Sequence, residues 1–93
     1  MSVLIDTPVW PWRDRRWSHL VSDTGYDELH AFVAEHLGMP RRAFQGDHYD
    51  VPEELYDVAV TAGAEPVGSR ELLQRLMCAG LRLKKARRAP AAG

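Results

Sequence analysis

Three helix-patterned segments, each closed by a glycine and separated by short apolar runs, set the limits on what this chain can fold into. The clearest is "DTGYDELHAFVAEHLGMP". Tyr26, Leu29, Val33 and Leu37 fall on one helical face with Phe32 at its edge, and Thr24 with Asp27 has the spacing of a capping box. Gly38 suits the left-handed position after a helix, and Pro40 stops any continuation. "VPEELYDVAVTAG" repeats the logic, with Pro52 in the first turn, a buried stripe of Leu55, Val58, Ala59 and Ala62, and Gly63 beyond the end. In "SRELLQRLMCAG" Ser69 is the expected cap, Leu72, Leu73, Leu76 and Met77 make the apolar side, and Gly80 is the stop.

Strand-type runs lie between and before these segments. They are "SVLID", the alternating "WSHLVSD", "RRAFQGDHYD" (a turn and a strand interrupted near Gly46), and "AEPVG". Pro8 and Pro11 exclude a helix from "TPVWPWRDRR", which reads as loop or extended chain. The order predicts an α/β fold, a small single-layer sheet of three or four short, largely parallel strands with three helices. A chain of 93 residues, 45% hydrophobic and 27% charged, has the composition of one ordinary globular domain. That domain is expected over residues 1–83, followed by a basic, disordered tail over 84–93.

The net charge of −1 hides an asymmetry. Residues 72–93 carry six basic side chains and no acid, so this end can attract phosphates or nucleic acid. Cys78 is the single cysteine, which excludes an internal disulfide and suits a reducing compartment. Within "LLQRLMCAGL" it reads as a buried structural thiol. No apolar run approaches the ~20 residues that span a bilayer, and the N-terminus lacks a secretion signal. A cytoplasmic protein with no membrane partner is expected.

In open parallel sheets, ligands lie outside the carboxyl ends of the strands. That rule selects Asp6 after the first strand, His48 and Asp50 at the end of the central one, and Gly68-Ser69-Arg70 after the last. His48 and Asp50, two apart on one strand face, can turn an imidazole and a carboxylate toward a common metal. Asp50 has a second reading, because Asp50-x-x-Glu53 also matches a capping box. His19, in "WSHL", can join them, and so can His30 from the first helix. His36 lies on the opposite margin of that helix and cannot share a metal with His30.

The expected metal set is therefore His19, His48, Asp50 and Asp6, holding a divalent ion such as Zn, Mn or Fe. His48, Tyr49 and His30 are the catalytic candidates, with Tyr49 or His30 as proton donor, and Ser69, Arg70 and Trp17 are the substrate-binding ones. The activity expected is metal-assisted hydrolysis of a phosphorylated or nucleotide-like molecule. No HExxH, paired CxxC, P-loop or GxGxxG motif occurs. A different class is also open. Trp10, Trp12 and Trp17 among Arg13, Arg15 and Arg16 could bind nucleic acid or a partner protein, or be buried in a homodimer.

"VLIDTPVWP", "WSHLVSDT", "DELHAF", "LGMPRRAFQGDHYDV" and "AGAEPVGSREL" together resemble the bacterial and phage family catalogued as domain of unknown function 4031. The resemblance runs from Val3 to about Leu81. It implies a small, intracellular, stand-alone domain and carries no activity. It places Trp17, Ser18, His19, His48, Tyr49 and Asp50 in the stretches by which the family is recognised.

Overall fold

One long strand organises the sheet. In the computed structural model, which describes residues 2–82, β3 (Arg15–Ser22) pairs with three others: β1 (Val3–Ile5), β2 (Trp10–Trp12) and β4 (Tyr49–Pro52). β4 runs along one edge of β3, from Trp17↔Pro52 to Leu20↔Tyr49. The same two residues of β3 also pair with Trp10 and Ile5, so β2 and β1 share the other edge. β5 (Glu65–Pro66) adds outside β1 as a parallel neighbour.

The sheet is thus mixed, five-stranded and mostly antiparallel, which corrects the expectation of three or four largely parallel strands. The cause is a two-residue turn. Arg13 and Asp14 have φ of 52° and 64°, the left-handed pair that joins β2 directly to an antiparallel β3. Neither residue is the glycine or asparagine that usually announces such a hairpin.

Alternation along the strands divides the core between the two faces of the sheet. Leu20, Ile5, Tyr49 and Val51 pack with Leu29 of α1 (Tyr26–Phe32) and Ala59 of α2 (Tyr56–Thr61). Leu4 and Val21 face the other way and meet Leu72 and Leu76 of α3 (Ser69–Cys78). On α3, Leu73, Met77 and Cys78 stay exposed, so the cysteine is not the buried thiol expected. Val58 of α2 is exposed as well. Among the described residues no helix is long and apolar enough to cross a membrane. The basic tail expected over 84–93 lies outside the described residues.

The helix ends differ from the expected caps. α1 runs on into a π-helical turn, Val33–Leu37, which Gly38 closes at φ 66° with its amide on Val33 O. Its start is held by Ser22 rather than Thr24. The buried Ser22 Oγ accepts the amides of Thr24 at 3.0 Å and Gly25 at 3.1 Å, and donates to Glu28. Ser22→Ala should therefore lower stability by about 1–2 kcal/mol, because the two amides and Glu28 lose their common partner in the turn before α1. A urea midpoint equal to that of the parent would contradict this role. Pro52 ends β4, and a 3-10 turn, Glu53–Leu55, separates it from α2. Neither that turn nor α2 or α3 has a side-chain cap, so Asp50 and Ser69 are not capping residues.

Arg75 ties α3 to the start of the chain. Its guanidinium lies 2.7 Å from Asp23, which also accepts the Ser2 amide at 2.9 Å. Burial alone would raise the Asp23 pKa, but the Ser2 amide, Arg75 and Thr24 outweigh it and hold the carboxyl below its ordinary 3.8. A folded-state pKa below the unfolded value means the contribution is complete above pH 3.8 and is lost as pH falls through the folded value. The acid limb of unfolding, followed by circular dichroism, should be shallower in Arg75→Gln than in the parent. Superimposable acid limbs would dismiss the pair as the source.

Candidate metal centre

Asp6, His19 and Asp50 form a row across three strands. The Asp6 amide donates to His19 O at 3.2 Å, and His19 is the direct register partner of Asp50. β4 runs in the direction of β1 but begins where β1 stops, so the row joins the end of one strand to the start of the other. His48 and Asp50 therefore stand at the beginning of β4, not at the end of a central parallel strand as expected. A tight turn delivers His48. The Gln45 amide donates to His48 O at 2.7 Å, Phe44 bridges to Tyr49, and Gly46 takes φ 90°.

Each imidazole is backed by a buried carboxylate. His19 Nδ1 is 2.8 Å from Asp6 Oδ2, and the His19 amide donates to Asp6 Oδ1 at 2.6 Å. Ser69 Oγ, at the start of α3, donates to the same Asp6 Oδ2 at 3.0 Å. His48 Nδ1 is 2.6 Å from Oδ1 of Asp47, itself only 4% exposed. The two rings meet nearly edge to face, with centroids 5.3 Å apart.

Asp50 completes the cluster. His48 Nε2 lies 3.3 Å from Asp50 Oδ1, close enough for charge attraction but outside hydrogen-bond geometry. That oxygen is buried and has no hydrogen-bond partner among the described residues. A buried carboxylate oxygen held by charge attraction without a hydrogen bond is uncommon in folded proteins. Ligand atoms of His19, His48 and Asp50 all lie within 4.8 Å of one another. Burial pushes the His48 pKa down, but the Asp50 and Asp47 carboxylates outweigh it and leave the pKa above the ordinary 6.5.

A cavity of about 260 Å³ opens beside the cluster, between the sheet and α3. Asp6, His19, His48 and Ser69 line one part of it, and Leu72 and Leu76 line another. Arg82 lines it too, 3.6 Å from Asp47 Oδ2.

The structure brings together five of the residues singled out from the sequence: Asp6, His19, His48, Asp50 and Ser69. It does not bring in His30, Tyr49, Arg70 or Trp17. Tyr49 is 1% exposed on the opposite face of the sheet, with its hydroxyl 2.8 Å from His30 Nδ1. His30 packs edge-on against Phe44, and its pKa is lowered by burial and then by the Arg41 charge. Arg70 is exposed and outside the cavity lining. Trp17 donates Nε1–H to Trp12 O at 2.9 Å within the hairpin, and Arg13 sits 4.6 Å over the Trp12 ring.

Sequence reasoning missed Asp47 and Arg82. A signal existed for Asp47, since it follows the turn glycine and precedes the histidine it orients. Arg82 carried none, as one arginine among many near a basic end.

Fold and site together define a small α/β domain that holds two carboxylate-backed histidines and a third carboxylate beside a cavity. Residues 3–79 match the family described as "Protein of unknown function (DUF4031)", and the chain belongs to that family. A search of curated proteins and a search of solved structures return no match to the chain.

Proposed function

We infer that this protein is an intracellular metal-dependent hydrolase of a small phosphorylated molecule, with His19, His48 and Asp50 as the metal ligands. The observation that carries this reading is the buried Asp50 Oδ1, which makes no hydrogen bond among the described residues and lies 3.3 Å from His48 Nε2, beside two imidazoles whose Nδ1 atoms are already engaged. Metal-binding histidines characteristically give their second nitrogen to a carboxylate, which fixes the tautomer and orients the ring. Asp6 and Asp47 fit that supporting role, so Asp6 orients His19 rather than ligating. A tetrahedral ion with bonds of about 2.0–2.1 Å needs ligand atoms about 3.3 Å apart. His48 Nε2 and Asp50 Oδ1 are already 3.3 Å apart, and a ligand atom of His19 lies within 4.8 Å of ligand atoms of both residues.

Three protein ligands of nitrogen and oxygen type suit Zn, Mn or Fe and leave a position for substrate or water. An ion held there would supply Lewis acidity at that position. The chain's own residues, Asp6 and Asp47, hold the imidazoles in the ligating tautomer. Ser69, expected to hold an anion, instead locks Asp6. Metal analysis of untagged protein and of its His48→Ala variant tests the assignment.

A second reading draws on the hairpin tip, where Trp12 is 51% exposed beneath the Arg13 guanidinium. Such a surface can stack on a base or a partner side chain. Arg15 is paired to Glu54 at 2.9 Å, and the Arg16 amide donates to Glu53, so nearby acids offset the local charge. The metal reading has the stronger support.

A further inference from the structure

Resting on the metal reading, we propose that the cavity selects phosphate monoesters of small apolar alcohols, with Arg82 gripping the phosphate and α3 receiving the alcohol. The cavity has two chemistries. The His19/His48 end is polar, whereas Leu72, Leu73 and Leu76 present an apolar wall. At about 260 Å³ it falls below the roughly 300–1,000 Å³ of pockets that hold drug-sized ligands, so the occupant is compact rather than polymeric.

Leu73 lines this space while remaining 38% exposed, an apolar side chain at the cavity that the hydrophobic core does not use. Leu72 and Leu76, 5% and 1% exposed, hold the helix on Leu4 and Val21, so Leu73 offers most of the accessible apolar surface of the three. Arg82 supplies the complementary charge. Its ion pair among the described residues is 3.6 Å to Asp47, too long for a hydrogen bond, so its planar fork can take a phosphate bidentately. The phosphate would then lie between the guanidinium and the metal, with the ester oxygen directed along α3.

Calorimetric titration of the protein loaded with whichever of Zn²⁺ or Mn²⁺ it retains tests this, using phenyl phosphate, glycerol 1-phosphate and inorganic phosphate. Phenyl phosphate should bind at least about tenfold tighter than the other two, the scale on which an apolar pocket rewards a few buried carbons. Leu73→Ser, at a position too exposed to hold the fold together, should abolish that preference and leave metal affinity unchanged. Arg82→Gln should weaken all three ligands by about tenfold, with Arg82→Lys recovering part of the loss. Equal affinity for the three ligands in metal-loaded protein would overturn this proposal and leave the metal reading standing. Absence of metal from both loading experiments would overturn the two together.

Discussion

Untagged protein will carry about one equivalent of a divalent transition metal, and a His48→Ala variant will fold but lose it. His48 is the ligand with the closest partner, 3.3 Å from Asp50 Oδ1, and its Nδ1 is held by Asp47. Removing the ring leaves an aspartate and one imidazole, too few for a stable site of this kind. The fold should survive because His48 lies in a turn, contributes nothing to either hydrophobic core, and leaves Asp47 beside Arg82. His36 makes a suitable control, since it is exposed and remote from the cluster. His36→Ala should keep the metal. Inductively coupled plasma mass spectrometry on both variants reads the result, with circular dichroism to verify folding. Metal retained in folded His48→Ala would remove the proposed centre.

The second large effect is expected from a residue that need not touch the ion. In Asp6→Asn, the amide can keep its oxygen toward the His19 amide, but its NH₂ then faces His19 Nδ1 and Ser69 Oγ. Both of those partners can turn to accept. For His19 this means the tautomer with hydrogen on Nε2, which is the nitrogen it would offer to a metal. Metal affinity should fall by about 10–100-fold, as when a supporting carboxylate is lost elsewhere. Stability of the metal-free protein should change by less than about 1.5 kcal/mol, because the hydrogen bonds are rearranged rather than orphaned. A purely structural Asp6 would show the opposite pattern, with a lower melting temperature and an unchanged metal dissociation constant. Competition titration against a chromophoric chelator separates the two.

Asp50 shows how a local pattern can mislead. Its spacing to Glu53 is that of a capping box, yet β4 continues through Pro52 and the side chain turns to His48 instead. Ser69 followed the same course. It begins α3 as expected, but its hydroxyl reaches Asp6, 63 residues earlier. In both cases a local capping hydrogen bond was chemically available and was not made: Ser69 made a long-range one to Asp6, whereas Asp50 Oδ1 lies 3.3 Å from His48 Nε2 without one. Capping patterns describe what a residue can satisfy nearby. They contain no information about a carboxylate or imidazole that the fold brings in from elsewhere.

Tyr49 and His30 illustrate the same gap differently. Period-two alternation places Tyr49 on the face opposite His48 and Asp50, which was readable once β4 was recognised as a strand. The sequence alone established the alternation of strands and helices, the three glycine stops, the shared face of His48 and Asp50, and the resemblance that the family match bears out. Tertiary structure decided strand direction, and with it the site. A left-handed turn at Arg13–Asp14 folds β2 back onto β3, and that reversal sets Asp6, His19 and Asp50 in one row. Local periodicity tells each residue which face it occupies. Only the pairing of distant strands tells it which neighbour it meets there.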